Sequence, residues 1–204
     1  MSANVWFEQV DTALLQELKN TVKYRNQHGI LVPLDDNALT VRKPEEEFKF
    51  ESFPCVSIYN TNSKFDPIRY TPDPIQVGED KEAKVVIMED SAVPFNLTYQ
   101  IDFWSRYQED MNNMTMLWLA KHFRQFNLTV IDDGGTERSS NCLMIGAPIK
   151  SDLVLNGERL FHTIISYQIW VELDSETRYN ISMVTERDFS IEDSTGKESE
   201  FTRR

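Results

Sequence analysis

Residues 94–126 read PFNLTYQIDFWSRYQEDMNNMTMLWLAKHFRQF, and this stretch constrains the fold more than any other part of the chain. Its first ten residues alternate: Phe95, Leu97, Tyr99, Ile101 and Phe103 fall on one side, and Asn96, Thr98, Gln100 and Asp102 on the other. A period of two predicts a strand with one buried face. At Ser105 the pattern changes. Ser105-Arg106-Tyr107-Gln108 fits a capping box, in which serine and glutamine each satisfy a free backbone donor of a first helical turn. Glu109 and Asp110 then set negative charge at the positive end of the helix, with Arg106 one turn from Asp110. Met111, Met114, Leu117, Trp118, Ala120, Phe123 and Phe126 give the predicted helix a broad apolar side. A strand feeding directly into a capped helix is a rigid scaffold unit.

The rest of the chain is assigned around this centre. Trp6, Val10, Leu14, Leu18 and Val22 recur at spacings of four and predict a first helix from about Asn4 to Tyr24, with Gly29 placed to end it. Two short segments, Ile30–Leu34 and Leu39–Val41, flank the turn signature Asp35-Asp36-Asn37 and read as a hairpin. After the polar Pro44-Glu45-Glu46-Glu47, a strand is predicted over Cys55–Tyr59. Residues 60–83 carry Pro67, Pro72 and Pro74 and read as an extended arm, with Ile68 and Tyr70 as apolar grips for another surface. Further strands are expected over Lys84–Met88, Leu128–Ile131, Asn141–Pro148 and Leu153–Leu155, with turns at Asp132-Asp133-Gly134-Gly135 and Asn156-Gly157. The strand over Arg159–Leu173 is the longest. Its second face holds Ile164 and Trp170, and because its length outruns that of a usual strand its far end is expected to pair or pack beyond the core, with a neighbouring subunit as one partner. After the apolar run Ile181–Val184, residues 185–204 read as a polar, mobile tail.

Composition narrows the functional classes. The chain has 204 residues, with 40% hydrophobic content, enough for one domain with a proper core over residues 1–184. A net charge of −12 argues against a duplex nucleic-acid binder, which relies on clustered Lys and Arg. The two cysteines, Cys55 and Cys142, sit among apolar neighbours and read as buried thiols in a reducing compartment. Glu8, Asp11 and Glu17 interrupt the first helix, so it reads as neither a signal peptide nor a membrane span.

No motif carries chemistry. His28, His122 and His162 fall on separate elements without metal-ligand spacing, and His122 reads as a core or interface residue. Asp132-Asp133-Gly134-Gly135 lacks the alternating acids and distal Glu of a calcium loop. With seven glycines there is no phosphate loop, and no nucleophile elbow is present. No catalytic, cofactor or metal residue is assigned, and Asp102 and Asp110 are the least poor candidates for acid–base work.

The run from Tyr99 to Met111 resembles the tail terminator, or tail sheath stabiliser, of phages with contractile tails. The likeness rests on a tyrosine-led strand that passes through Ser105, Arg106 and Tyr107 into Asp110, Met111 and an apolar helix. A weaker echo is Ile164–Glu172, placed like that family's long strand. The resemblance implies a homohexameric ring at the head-proximal end of the tail, stopping tube polymerisation, holding the sheath and presenting a face to neck proteins. It would be a virion component assembled in the host cytoplasm. DNA would pass through an acidic channel without specific binding, since like charge repels phosphate.

The reading is therefore a non-enzymatic structural protein of α+β class, with a mostly antiparallel sheet packed by the N-terminal and central helices and a long inter-subunit arm or hairpin. Its alternatives are a terminator or completion protein of a non-contractile tail or injection machine, and, from another class, a small-molecule-binding or enzyme domain.

Overall fold

The computed structural model describes residues 3–25, 28–41, 53–131, 135–155, 158–173, 178–182, 188–192 and 198–202. The chain divides into two compact units: Met1–Arg69 with Pro94–Leu173, and Tyr70–Val93 with Asp174–Arg204.

The first unit opens with helix α1 (Ala3–Thr21). The four-residue spacing seen in the sequence is a buried stripe, with Val10, Leu14, Leu18 and Val22 all at 0% exposure. The helix stops well before Gly29, because residues 23–25 form a strand instead. Strand β1 (Lys23–Arg25) pairs antiparallel with β2 (Leu31–Pro33), and Gly29, at φ 73, lies in their connection. The hairpin expected across residues 30–41 does not form. Asp36–Ala38 makes a 3₁₀ turn closed by Ala38 N–H donating to the Asp35 carbonyl, and Lys19 holds it to α1 through Asp36 at 2.5 Å. Strand β3 (Leu39–Val41) leaves this turn to run parallel to β4 (Cys55–Phe65). The segment over 44–47 lies outside the described residues.

The central strand β7 (Val93–Ser105) pairs antiparallel with β4 from Cys55↔Trp104 to Phe65↔Phe95, with a register shift between Asn60 and Asn62. Helix α2 (Gln108–His122) follows, then β8 (Gln125–Ile131), β9 (Glu137–Met144), β10 (Ile149–Leu155) and β11 (Glu158–Leu173). The sheet order is β3-β4-β7-β11-β9-β8. Strand β10 pairs with the first half of β11 and β9 with Tyr167–Trp170, so both share one edge of the long strand. The register carries Leu155 opposite Glu158 around Asn156-Gly157, which lie outside the described residues, as does the turn at 132–134.

The alternation of β7 places Leu97, Tyr99, Ile101 and Phe103 at 0% exposure, and Thr163, Ile165, Tyr167, Ile169 and Val171 form the buried face of β11. Both faces meet the helices. Tyr99 donates its hydroxyl to Asp11 of α1 at 2.6 Å, and Trp118 of α2 donates its indole N–H to the Tyr167 hydroxyl at 3.0 Å.

The helix boundaries differ from those expected at both ends. Ser105 remains in the strand, buried, and its hydroxyl accepts the Tyr107 N–H at 3.1 Å. Tyr107, in extended conformation, is the residue before the helix, and it makes no side-chain cap. The capping box does not form because the sheet keeps Ser105. At the other end Arg124 takes φ 67 and its carbonyl accepts Met144 N–H, which turns the chain into β8. Phe123 is consequently 57% exposed. Phe126 packs from β8 edge-on to Trp118 and Tyr167.

In the second unit, β5 (Ile75–Asp80), β6 (Val85–Glu89) and β12 (Arg178–Ser182) form an antiparallel sheet in the order β12-β6-β5. The β5–β6 turn is held by Asp80, whose carboxylate accepts the N–H groups of Glu82 and Ala83. Within 60–83, expected as an arm, residues up to Phe65 continue β4 and 75–80 are β5. Within 185–204, β13 (Asp188–Glu192) and β14 (Glu198–Thr202) pair antiparallel.

Candidate functional site

The five signature residues come together where β7 passes into α2, and they divide by exposure. Ser105, Asp110 and Met111 are buried, whereas Tyr107 is 70% exposed and Arg106 stands over the Phe53 ring at 5.3 Å. An open cleft of about 1200 Å³ runs along this junction, lined by Ser105–Asp110 together with Tyr24, Arg25, His28, Gly29, Phe53 and Pro54. Arg25 lies 3.8 Å from Glu109. Burial raises the Asp110 carboxyl above its ordinary range, although it accepts the Arg25 backbone N–H, and Glu109 pushes it the same way. The signature thus contributes both frame and exposed surface.

The contact candidates have different settings. Ile68 is 94% exposed on a tightly held turn, Tyr70 is 37% exposed in the second unit, Ile164 is half-buried opposite Ile149, and Trp170 is 38% exposed under the Arg69 guanidinium. The turn bearing Ile68 is a feature the sequence reading missed. Asp66 accepts from Ile68 N–H at 3.1 Å, from Arg69 Nε at 2.8 Å and from Asn96 Nδ2 at 3.1 Å. Arg69 also donates to the Phe95 carbonyl and to Asn96 Oδ1, each at 3.0 Å. The Arg69 hydrogen bond, against a smaller opposing effect of burial, pushes the Asp66 carboxyl down to about 2. The sequence reading took residues 60–83 as an extended arm, and the partner Asn96 comes from another strand.

A second missed feature is a groove of about 560 Å³ between α1 and the edge of β8. It is lined by Ala13, Leu128 and Ile131 among polar residues that include Glu8 and Glu17.

The sheet face away from the helices holds a buried polar line. Ser151 of β10 lies 3.1 Å from His162 Nδ1, His162 Nε2 lies 3.4 Å from Asp102 Oδ1, and Gln100 donates to Asp102 at 2.7 Å. The His162 ring stacks on Trp104 at 3.6 Å and 8°. Ser, His and Asp in line invite a hydrolytic reading. However, neither the junction cleft nor the α1–β8 groove is lined by these residues, and Trp104 covers the ring face. The line ties β10 and β11 to β7. Asp102, a weak acid–base candidate in the sequence, is part of it.

His122 lies between the helices, buried, with Nε2 3.0 Å from Glu17, which also accepts from Lys121 at 2.6 Å. Burial lowers the imidazole below its ordinary value, against the opposing charge of Glu17. Both thiols are buried and pushed up to about 12 by that burial. Among the described residues no group of three or more His, Cys, Asp or Glu is placed to hold a metal ion, and no helix is long and apolar enough to cross a membrane.

With this geometry established, the fold can be compared with known structures. It corresponds, at a TM-score of 0.51, to the sheath/tube terminator of PVC, an extracellular contractile injection system, in its extended state. This chain has a terminator-like fold. Identity is 18%, and the match covers 92% of this chain and 63% of that one, so the chain spans less than two thirds of its counterpart's length. No protein-family model matches the chain, and no curated protein matches it by sequence. The expected likeness to a tail terminator is met at the level of the fold, and its counterpart belongs to an injection system, not a phage.

Proposed function

We infer that this chain is a non-enzymatic structural protein that closes the end of the tube and sheath of a contractile machine. One observation carries the reading: the fold correspondence with a sheath/tube terminator extends over 92% of the chain. The Ser105–Met111 signature supports it independently, having suggested a tail terminator from residues alone. In its finer form the protein is a homohexameric ring in the neck of a contractile phage tail. There it contacts tube, sheath and neck proteins while DNA slides through an acidic channel, consistent with the net charge of −12.

A second reading, the terminator of an injection machine, is favoured by the origin of the structural counterpart. The two share the tube-capping role and differ in what lies beyond the cap.

The shared role is tested by polymerising the cognate tube protein with and without this chain and imaging the products by electron microscopy. The expected result is a narrowed length distribution with the chain at one end of each tube. Binding along the whole tube, or unchanged lengths with bare ends, would overturn it.

A further inference from the structure

Two features of the first unit were left without a role: the Ile68 turn and the α1–β8 groove. Single surface isoleucines are common and need no explanation of their own; what marks this one is the rigid turn that carries it. Ile68 is 94% exposed, and the turn beneath it is fixed from several sides by Asp66, Arg69 and Asn96. An apolar side chain held in one place loses little freedom on docking, which is what a contact anchor requires. Next to it, Lys64 is exposed and unmatched by the Asp66–Arg69 pair, whose charges cancel.

The groove has the complementary character. Its floor is apolar, with Ala13, Leu128 and a 56% exposed Ile131, and its rim carries two acids: Glu8, and Glu17, which already pairs with Lys121. One wall is the outer edge of β8. The sequence of β8, QFNLTVI, has no charge and no proline, and its pairing with β9 shows no bulge. Edges open to solvent are normally blunted by such devices, so an unprotected one fits a position that becomes covered.

The chain cannot fill its own groove with its own turn. β4, which leads into the turn, and β8 are separated in the sheet by β7, β11 and β9. At the usual spacing of about 4.8 Å between strands the two lie roughly 19 Å apart.

We propose that Ile68 of one copy docks in the α1–β8 groove of a second copy, with Lys64 facing Glu8. The two surfaces differ, so the contact is head-to-tail and each copy keeps a free turn and a free groove. Contacts of that kind close into rings when the rotation permits. This deepens the terminator reading, on which it rests, by naming the contact through which copies join.

The test uses the full chain with Ile68→Gln and Ile131→Gln, both at exposed positions, and unchanged melting temperatures serve as the fold control. By native mass spectrometry and sedimentation, wild type forms closed oligomers and each variant alone is weakened by at least about tenfold in self-association. A mixture of the two variants then yields dimers and nothing larger, because Ile131→Gln supplies the intact turn and Ile68→Gln the intact groove. Wild type that stays monomeric, an Ile68→Gln variant that assembles like wild type, or a mixture that restores no association would each overturn the proposal. Tube-end binding is scored separately: its loss with self-association intact removes the terminator reading and leaves this contact standing.

Discussion

The two faces of β7 are both buried at their α2 end, yet they are built from opposite chemistry. Toward the helices stand Leu97, Tyr99, Ile101 and Phe103, all fully buried. On the other side Asp102 is 1% exposed beside Ser57 of β4, and the Asp102–His162–Ser151 line crosses three strands. The first face gains from removing apolar surface from water, and any side chain of similar size and polarity serves. The second, apart from Trp104 stacked on the His162 ring, gains little from transfer. It is stable only to the extent that each polar group finds a partner, because an unmet buried group costs about 1–3 kcal/mol. Burial therefore does not identify the core of this protein. What separates the faces is whether removing a side chain leaves a cavity or removes a hydrogen-bond partner.

The largest expected effect tests the apolar face. Phe103→Ala, read from chemical denaturation, should lower stability by about 3–5 kcal/mol through lost burial and an unfilled cavity. A loss under about 1 kcal/mol, the scale of a surface change, would show that the helices do not close tightly on β7.

A smaller effect probes a polar group set within the helix side. Burial holds the native His122 imidazole below its ordinary value of 6.5. Below pH 6.5 the unfolded chain takes up a proton that the folded chain resists, so stability should fall as pH drops toward the depressed native value. Glu17, lowered from its ordinary 4.5 by Lys121 and His122 despite burial, adds a separate loss below that value. Melting temperature followed from pH 7 to 4 should therefore decline in two stages; His122→Gln should flatten the upper one and shrink the lower, which Lys121 then maintains. An unchanged upper slope would assign it to other groups.

The smallest effect concerns the polar face. The Ser57 hydroxyl is fully buried with no hydrogen-bond partner among the described residues. Ser57→Ala should be neutral or stabilising, by up to about 1 kcal/mol, since it removes an unmet polar group. Destabilisation beyond that would mean that Ser57 belongs to the Asp102–His162 line, and the contrast between the faces would sharpen.

Much of the framework was readable in advance wherever local pattern and tertiary demand agree. The period of two in β7 and β11, the stripe of α1 and the Asn156-Gly157 signal between β10 and β11 each reflect a repeat that a single element imposes on its own residues. The errors fall where two local solutions compete. Ser105 satisfies a capping box on paper but is kept in the strand by the sheet, and Phe123 and Phe126 extend a helical stripe that Arg124 interrupts. Residues 30–41 offer a hairpin signature, yet β2 pairs back with β1 and β3 pairs with β4.

The sequence by itself determined the strand-then-helix order of the centre, the buried faces of β7 and α1, and a suggested likeness that is met at the level of the fold. Those depend on spacing along one chain, and spacing is written in the residues. Only the tertiary structure decided that Asp66, Arg69 and Asn96 would clamp Ile68 outward, that α1 and β8 would leave a groove, and that Ser151, His162 and Asp102 would line up across three strands. Each of these joins residues far apart in the chain, and their proximity follows from strand order and register, which no local period encodes.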